Sequence, residues 1–260
     1  LLGGGIFFAF LLLTRRRVVK TMFSRRRTVG ALFAFGFALY ANQLCYAQTV
    51  QITNAGTATV LQMLASAFVM LYVCVTLRRA PRIREAIGLL LALLAALFIA
   101  TQGDVRTLDV PADGLVWGLL TALSTAVYII VPKRCGLFER YGSMPVVGMG
   151  MLLGALFALP VYLLQGNTLV DAATVLTAFG GFEWFVFLGG LVVVGTICGY
   201  GLYLHGVAIV GSVKGSLLGA IEPVSATVLA ALWLGTAFTG YDLAGLVLMC
   251  VMVAFVTSDE

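Results

Sequence analysis

Long apolar stretches separated by short charged interruptions run through this sequence, and they restrict it to folds that sit in a lipid bilayer. Eight stretches are long enough to cross a membrane as helices, at about 28–50, 55–77, 86–102, 113–132, 144–165, 184–208, 214–235 and 240–256. A helix of about 20 apolar residues matches the hydrocarbon core. Composition agrees, because 10% of the residues are charged, whereas a soluble domain has about 25%. The sequence therefore predicts an all-α integral membrane protein and excludes a soluble globular domain.

The apolar stretch at 1–14 is too short to cross a membrane by itself. Its 14 residues would reach about 21 Å as a helix, whereas the hydrocarbon core is about 30 Å thick. Basic residues follow this stretch rather than precede it, which is the wrong order for a signal peptide. We interpret 1–14 as the remainder of a truncated membrane helix.

The basic residues collect at alternate ends of the predicted spans. Of the 16 Lys and Arg residues, all but Arg106 fall in the clusters 15–27, 78–84 and 133–140 or at Lys214, and these share one side if every span crosses once. Cytoplasmic loops are enriched in Lys and Arg, so this side and the C-terminus are predicted to be cytoplasmic. The same distribution accounts for the net charge of +5 without nucleic-acid binding.

Few side chains in this sequence suit metal or covalent chemistry. The single histidine is His205, and the five cysteines are scattered without the spacing of a metal site. The GxxxxGK[ST] phosphate-binding motif does not occur in the sequence. We therefore predict no metal, no cofactor and no catalytic residue, and expect any transport to be driven by a solute gradient, by coupled protons or by downhill flux.

Glu222 is the one carboxylate in the interior of a predicted span, about 12 Å from the start of its helix. A charged side chain at that depth is costly, so its presence points to a function. Glu222 is a candidate for proton coupling; the alternative is that it satisfies backbone groups or a neighbouring helix without meeting substrate. Pro223 has no N–H group to donate to the carbonyl of Gly219, so a helix kink is predicted there.

Polar and aromatic residues recur at helical spacing within several spans. Such groups either line a cavity that holds an amphipathic or aromatic solute, or bond to neighbouring helices and anchor helix ends at the membrane surface. We favour cavity lining for Tyr40, Gln43, Thr196, Tyr200 and Tyr203. Both interpretations stay open for a further stripe, which consists of Trp117, Thr121, Ser124 and Tyr128.

The segment at 200–255 arranges some of these residues in a recognisable order. A helix with Tyr200 and Tyr203 precedes a short turn at 211–214, and then come Glu222-Pro223-Val224 and Gly245. This order resembles the C-terminal end of an EamA-type repeat of the drug/metabolite transporter superfamily. The segment at 39–71 is similar to the equivalent part of the other repeat, although Gln62-Met63 stands where Glu-Pro or a lone Pro would appear.

The resemblance implies a ten-helix transporter bundle built from two inverted repeats of five helices, with a central substrate cavity. The repeats would occupy 1–104 and 113–257. Inverted repeats need an odd number of helices in each half, so the first helix is inferred to be missing and the second to be truncated. An ungapped overlay of 40–72 on 200–232 places Gln62 on Glu222.

The resulting hypothesis is a secondary transporter in the inner membrane, an exporter that works by alternating access on a small metabolite, amino acid or drug-like solute. Its expected partners are the solute and the lipid bilayer, and a homodimer stays open. Two alternatives are a non-transporting membrane subunit or sensor, and an intramembrane enzyme. Catalysis is the weaker alternative, because the interiors of the predicted spans hold one carboxylate and the single histidine is peripheral.

Overall fold

The structure, a computed structural model, describes residues 16–104, 111–164, 179–235 and 239–257, together with residues 5, 106, 174 and 177. The truncated helix predicted at 1–14 lies outside the described residues. Within them the fold is helical and contains no strand, which confirms the all-α prediction. The α-helices are α1 (Arg16–Met22), α2 (Arg26–Ile52), α3 (Ala55–Met63), α4 (Ala65–Leu77), α5 (Ile83–Thr101), α6 (Ala112–Arg134), α7 (Leu137–Tyr141), α8 (Ser143–Leu164), α9 (Gly181–Phe185), α10 (Gly199–Val210), α11 (Ser212–Gly219), α12 (Ile221–Leu234) and α13 (Gly240–Thr257), with a π-helical segment at Val186–Cys198 between α9 and α10.

Six helical runs among the described residues are long and apolar enough to cross a membrane. They are Arg26–Ile52, Ala55–Leu77, Ile83–Thr101, Ala112–Arg134, Ser143–Leu164 and Gly181–Val210. A shorter apolar helix follows at Gly240–Phe255. The region predicted as one span at 214–235 is instead divided between α11 and α12. Length and composition thus support a multi-pass membrane protein.

Local hydrogen bonds explain where several helices begin and end. Asn54 precedes α3 and accepts the N–H of Thr57 at 2.8 Å through its side chain, as an N-cap residue does. The backbone turns left-handed at Arg78 and at Gln102, each with φ of 50°, which ends α4 and α5. The polar segments that separate the predicted spans therefore act as caps and turns.

Contacts divide the chain into two compact units. The first unit comprises Leu1–Tyr40 and Val131–Ile209, and the second comprises Ala41–Ile130 and Val210–Glu260. Two of the three divisions fall well inside α2 and α6, so each of these helices contributes residues to both units, and the third falls before the last residue of α10. This grouping by contact differs from the proposed repeats at 1–104 and 113–257, which stay a prediction.

Close packing of small residues holds the first unit together. A Cβ atom added to Gly36 in α2 would lie 2.5 Å from Leu153 Cβ in α8, and one added to Gly150 would lie 2.2 Å from Phe35 Cε1. The ring of Phe157 also packs edge-on against aromatic rings of α2. In a bilayer such close approach supplies much of the attraction between helices.

Glycine residues also allow helices to pack closely in the second unit. A Cβ atom on Gly245 in α13 would lie 2.6 Å from Ile99 Cγ1 in α5, so these two helices pack nearly backbone to backbone. A Cβ atom added to Gly118 in α6 would likewise lie 2.3 Å from Leu61 Cδ1 in α3. The helices of the second unit are therefore closely packed.

Candidate functional site

Two of the helical runs in the second unit are interrupted, at Leu64 between α3 and α4 and at Ala220 between α11 and α12. Both residues keep right-handed backbones, with φ and ψ of −59° and −16° at Leu64 and of −64° and −7° at Ala220. The N–H of Leu64 donates to Leu61 O at 3.1 Å, and that of Ala220 donates to Leu217 O at 3.0 Å. Each interruption is thus one 3₁₀-like turn, which within a helix often marks a hinge.

The two interruptions occur at matching places along the chain. The helices that precede them, α3 and α11, have nine and eight residues. Aligning Leu64 with Ala220 places Ser66, rather than Gln62, opposite Glu222.

A buried hydrogen bond joins the two interruptions. Because the N–H of Ala220 donates to Leu217 O, the carbonyl of Ser216 loses the donor it would have in a regular helix. Ser66 Oγ donates to that carbonyl at 3.0 Å. Both serine residues are 5% exposed, so this bond lies away from solvent and fixes α4 against α11.

Glu222 lies directly after the second interruption, in the first turn of α12. The sequence placed Glu222 about eight residues into one continuous helix; the structure interrupts that run by the single turn residue Ala220, and the depth of Glu222 in the membrane stays a prediction. Its side chain is exposed in the structure. A carboxylate in a first turn interacts favourably with the positive end of the helix dipole.

Pro223 is buried and is the third residue of α12. The first N–H groups of a helix have no acceptor inside it, so a proline there leaves no intrahelical bond unmade. The helical run is interrupted at Ala220, three residues before Pro223. Gly219 and Pro223 thus flank the point at which the chain leaves regular helix.

The other predicted site residues lie in both units. Tyr40, Thr196, Tyr200 and Tyr203 belong to the first unit and are partly buried, whereas Gln43 belongs to the second and is exposed. Thr196 lies in the π-helical segment, where its Oγ1 donates to the Leu191 carbonyl at 2.9 Å. That bond satisfies the hydroxyl within its own helix, which is the alternative to a role in binding solute.

A polar ladder joins α2 and α6 in the second unit; sequence analysis singled out one of its members, Thr121, and missed the others. Asn42 Nδ2 donates to Thr125 Oγ1 at 2.5 Å and to the carbonyl of Thr121 at 3.4 Å. Two helical turns further along α2, Thr49 Oγ1 lies 3.4 Å from Thr121 Oγ1. All four residues are buried. The available signal was spacing, since residues 42 and 49, like 121 and 125, share one face of their helix.

Thr57 in α3 is a second residue that the sequence did not single out. It is 1% exposed, and its Oγ1 has no hydrogen-bond partner among the described residues. A buried hydroxyl of this kind carries an unmet hydrogen-bonding capacity. It lies on the helix that ends at the Leu64 interruption.

Asp242 is a buried carboxylate whose surroundings mark it as structural. Its Oδ2 accepts the backbone N–H of Thr239 at 2.8 Å, and its Oδ1 accepts Gln102 Nε2 at 2.7 Å. This caps the start of α13 and ties it to the end of α5. Across the described residues, no group of three His, Cys, Asp or Glu side chains could hold a metal ion.

The chain resembles known proteins over nearly its whole length. The model of the EamA-like transporter family matches residues 1–101 and 112–258. The chain is 30% identical over 260 residues to a Salmonella typhimurium (strain LT2) protein described as "Uncharacterized inner membrane transporter YicL", and the match covers 100% of this chain and 83% of that protein.

A solved structure described only as "Crystal structure of protein" superposes on the chain with a TM-score of 0.77. The two sequences are 17% identical, and the superposition covers 98% of this chain and 83% of the solved one. At this identity the likeness concerns the fold alone.

Proposed function

The chain belongs to the EamA-like transporter family, and we propose that it is a secondary carrier which moves a small organic solute across the inner membrane by alternating access. The family and the Salmonella relative support a multi-pass inner membrane transporter. The carrier mechanism, the export direction and the ten-helix inverted-repeat plan are parts of the proposal.

The observation that carries the proposal is the pair of joined helix interruptions in the second unit. Carriers that alternate between two openings are often built with discontinuous membrane helices. At Leu64 and at Ala220 the backbone N–H donates to the carbonyl three residues back instead of four, while the backbone stays right-handed. A bend at such a point needs little rearrangement, which suits a hinge that opens and closes repeatedly.

Glu222 is the residue proposed to couple transport to protons. It stands at the start of α12 beside the second interruption and has an exposed side chain. A carboxylate at a moving helix end can take up a proton in one conformation and release it in the other. Tyr40, Gln43, Thr196, Tyr200 and Tyr203 remain the proposed contacts of an amphipathic solute, such as a metabolite, an amino acid or a drug-like molecule.

Uptake into proteoliposomes tests the proposed coupling. A thermal-shift panel of amino acids, purines and quaternary ammonium drugs first selects a ligand that raises the Tm of the purified protein. Its radiolabelled form is then followed in vesicles with and without a pH gradient. We expect Glu222→Gln to abolish the part of the flux that the gradient drives, while flux down the solute gradient persists.

Glu183→Gln is the matched control, since Glu183 is also an exposed carboxylate in the first turn of a helix. It should transport as the unchanged protein does. Full gradient-driven flux in Glu222→Gln would exclude Glu222 as the coupling residue.

A further inference from the structure

Arginine side chains line two open cavities at one corner of the first unit. The first cavity, of about 590 Å³, is lined by Arg25, Arg26, Arg27, Thr28, Cys135 and Arg140. The second, of about 620 Å³, shares Arg25 and Arg140 with the first and adds Thr21 and Ser24. Arginines from two separate parts of the chain therefore face the same space.

Packed helices hold this corner in place. The Tyr141 hydroxyl at the end of α7 lies 3.3 Å from Thr28 Oγ1 and donates to the carbonyl of Thr21 at 3.5 Å. Met22 on α1 and Leu137 on α7 are almost completely buried. Arg140 precedes Tyr141 directly, and it lines both cavities together with Arg25.

The four guanidinium groups lack a neutralising partner. Within the part of the chain that the structure describes, none of them forms an ion pair. Glu139 is the nearest carboxylate in sequence, and it faces Lys133, whose Nζ lies 3.6 Å from its Oε1. Like charges that converge without a counter-ion repel one another, and an anion between them would remove that cost.

The backbone adds further donors to the same corner. The helix α2 begins at Arg26, and the N–H of Val29 already donates to Arg25 O at 3.1 Å. The N–H groups of residues 26–28 therefore have no acceptor within the helix, and all three residues line the first cavity. The start of a helix of 27 residues also carries a partial positive charge.

We infer that Arg25 and Arg140 bind the phosphate group of an anionic ligand at this corner. Arginine presents a planar fork of donors that matches phosphate oxygens. The corner lies at the ends of three membrane-capable helices, Arg26–Ile52, Ala112–Arg134 and Ser143–Leu164, where lipid headgroups are found. An anionic phospholipid and a free phosphate offer the same chemistry, and the inference holds whether or not the chain is a carrier.

Orientation in the membrane needs only positive charge in a loop, so charge-preserving substitutions separate a binding site from that role. Arg25→Lys and Arg140→Lys keep the charge but lose the two-point contact with phosphate. Arg17→Lys is the matched control, because Arg17 is exposed, lies in the same basic cluster and is not among the described residues that line either cavity.

The test measures the Tm of the full chain in detergent. One arm adds dioctanoyl phosphatidylglycerol, with the zwitterionic phosphatidylcholine as its reference, and the other adds sodium phosphate, with sodium chloride at equal ionic strength as its reference. We expect a concentration-dependent rise of Tm in at least one arm. Arg25→Lys and Arg140→Lys should each weaken the apparent affinity about tenfold, the loss of one charge-assisted hydrogen bond, and Arg17→Lys should leave it unchanged.

A response to phosphatidylglycerol alone identifies a lipid site, and a response to both ligands identifies a site for phosphate itself. Native mass spectrometry counts bound ligand if a variant unfolds before its Tm is measurable. The inference is overturned if neither ligand raises the Tm of the unchanged protein, or if Arg17→Lys weakens binding as much as the two site variants do.

Discussion

Serine and threonine hydroxyls across the described helices commonly donate to a carbonyl of their own helix. Thr49, Thr101 and Thr121 each donate to the residue four positions back, at 2.8 to 2.9 Å. Such bonds satisfy a hydroxyl in lipid without help from a second helix. Ser66 departs from this pattern, because its hydroxyl donates to the carbonyl of Ser216 on another helix.

Ser66→Ala should therefore lower stability. The substitution leaves the Ser216 carbonyl buried without a donor, and bonds between membrane helices are worth about 0.6 to 2 kcal/mol. The measurement is the Tm of the purified protein in detergent.

Ser225→Ala provides the comparison, because Ser225 is exposed and bonds within α12 to the carbonyl of Ile221. It should leave the Tm unchanged. Equal Tm values for the two variants would contradict the role given to the Ser66 bond.

At the scale of helices, sequence analysis placed six of the eight predicted spans within a few residues of the membrane-capable runs among the described residues. The predicted 55–77 corresponds to Ala55–Leu77, and the predicted 144–165 corresponds to Ser143–Leu164. Continuous apolar runs allow this, because each must form its own backbone bonds in lipid. The family was likewise predictable, since the order of Tyr200, Tyr203 and Glu222-Pro223 is specific.

The interruption at Leu64 was not predictable from the sequence. The N–H of Leu64 donates three residues back instead of four while the backbone stays right-handed. No glycine or proline lies at this point in the sequence to signal the interruption. Asn42 was missed because its partner Thr125 is 83 residues away, and no local pattern shows such a pairing.

The start of α13 gives a prediction at this scale. Asp242 and Thr239 form a reciprocal cap, and Asp242 also accepts Gln102 Nε2 from the end of α5. We expect Asp242→Ala to cost about 0.5 to 2 kcal/mol and to lower the Tm in detergent. Asp113→Ala, at an exposed first-turn carboxylate of α6, should have a smaller effect, and the reverse order would show that the cap is not important.

At the scale of the whole molecule, the distribution of charge predicts which side of the membrane each loop faces. The basic segment at 133–140 should be cytoplasmic, and the segment around Asp113 should face the opposite side. Cys135 is exposed in the first of these segments, so it can report on orientation through chemical labelling.

The labelling uses a variant in which Cys135 is the single cysteine, and intact spheroplasts treated with a membrane-impermeant maleimide. We expect Cys135 to react after permeabilisation only. Asp113→Cys in a background without other cysteines should react in intact spheroplasts. The opposite pattern would reverse the orientation of the chain and place its C-terminus outside the cytoplasm.

The central claim is that this chain moves a solute by itself. Counterflow tests it most directly: proteoliposomes containing only the purified protein are loaded with the unlabelled ligand selected by thermal shift, and the entry of external labelled ligand is followed. We predict transient accumulation of label above the equilibrium level, because a carrier exchanges solute across the membrane without an energy source. Entry no faster than into protein-free liposomes would contradict the claim and favour a non-transporting subunit or sensor.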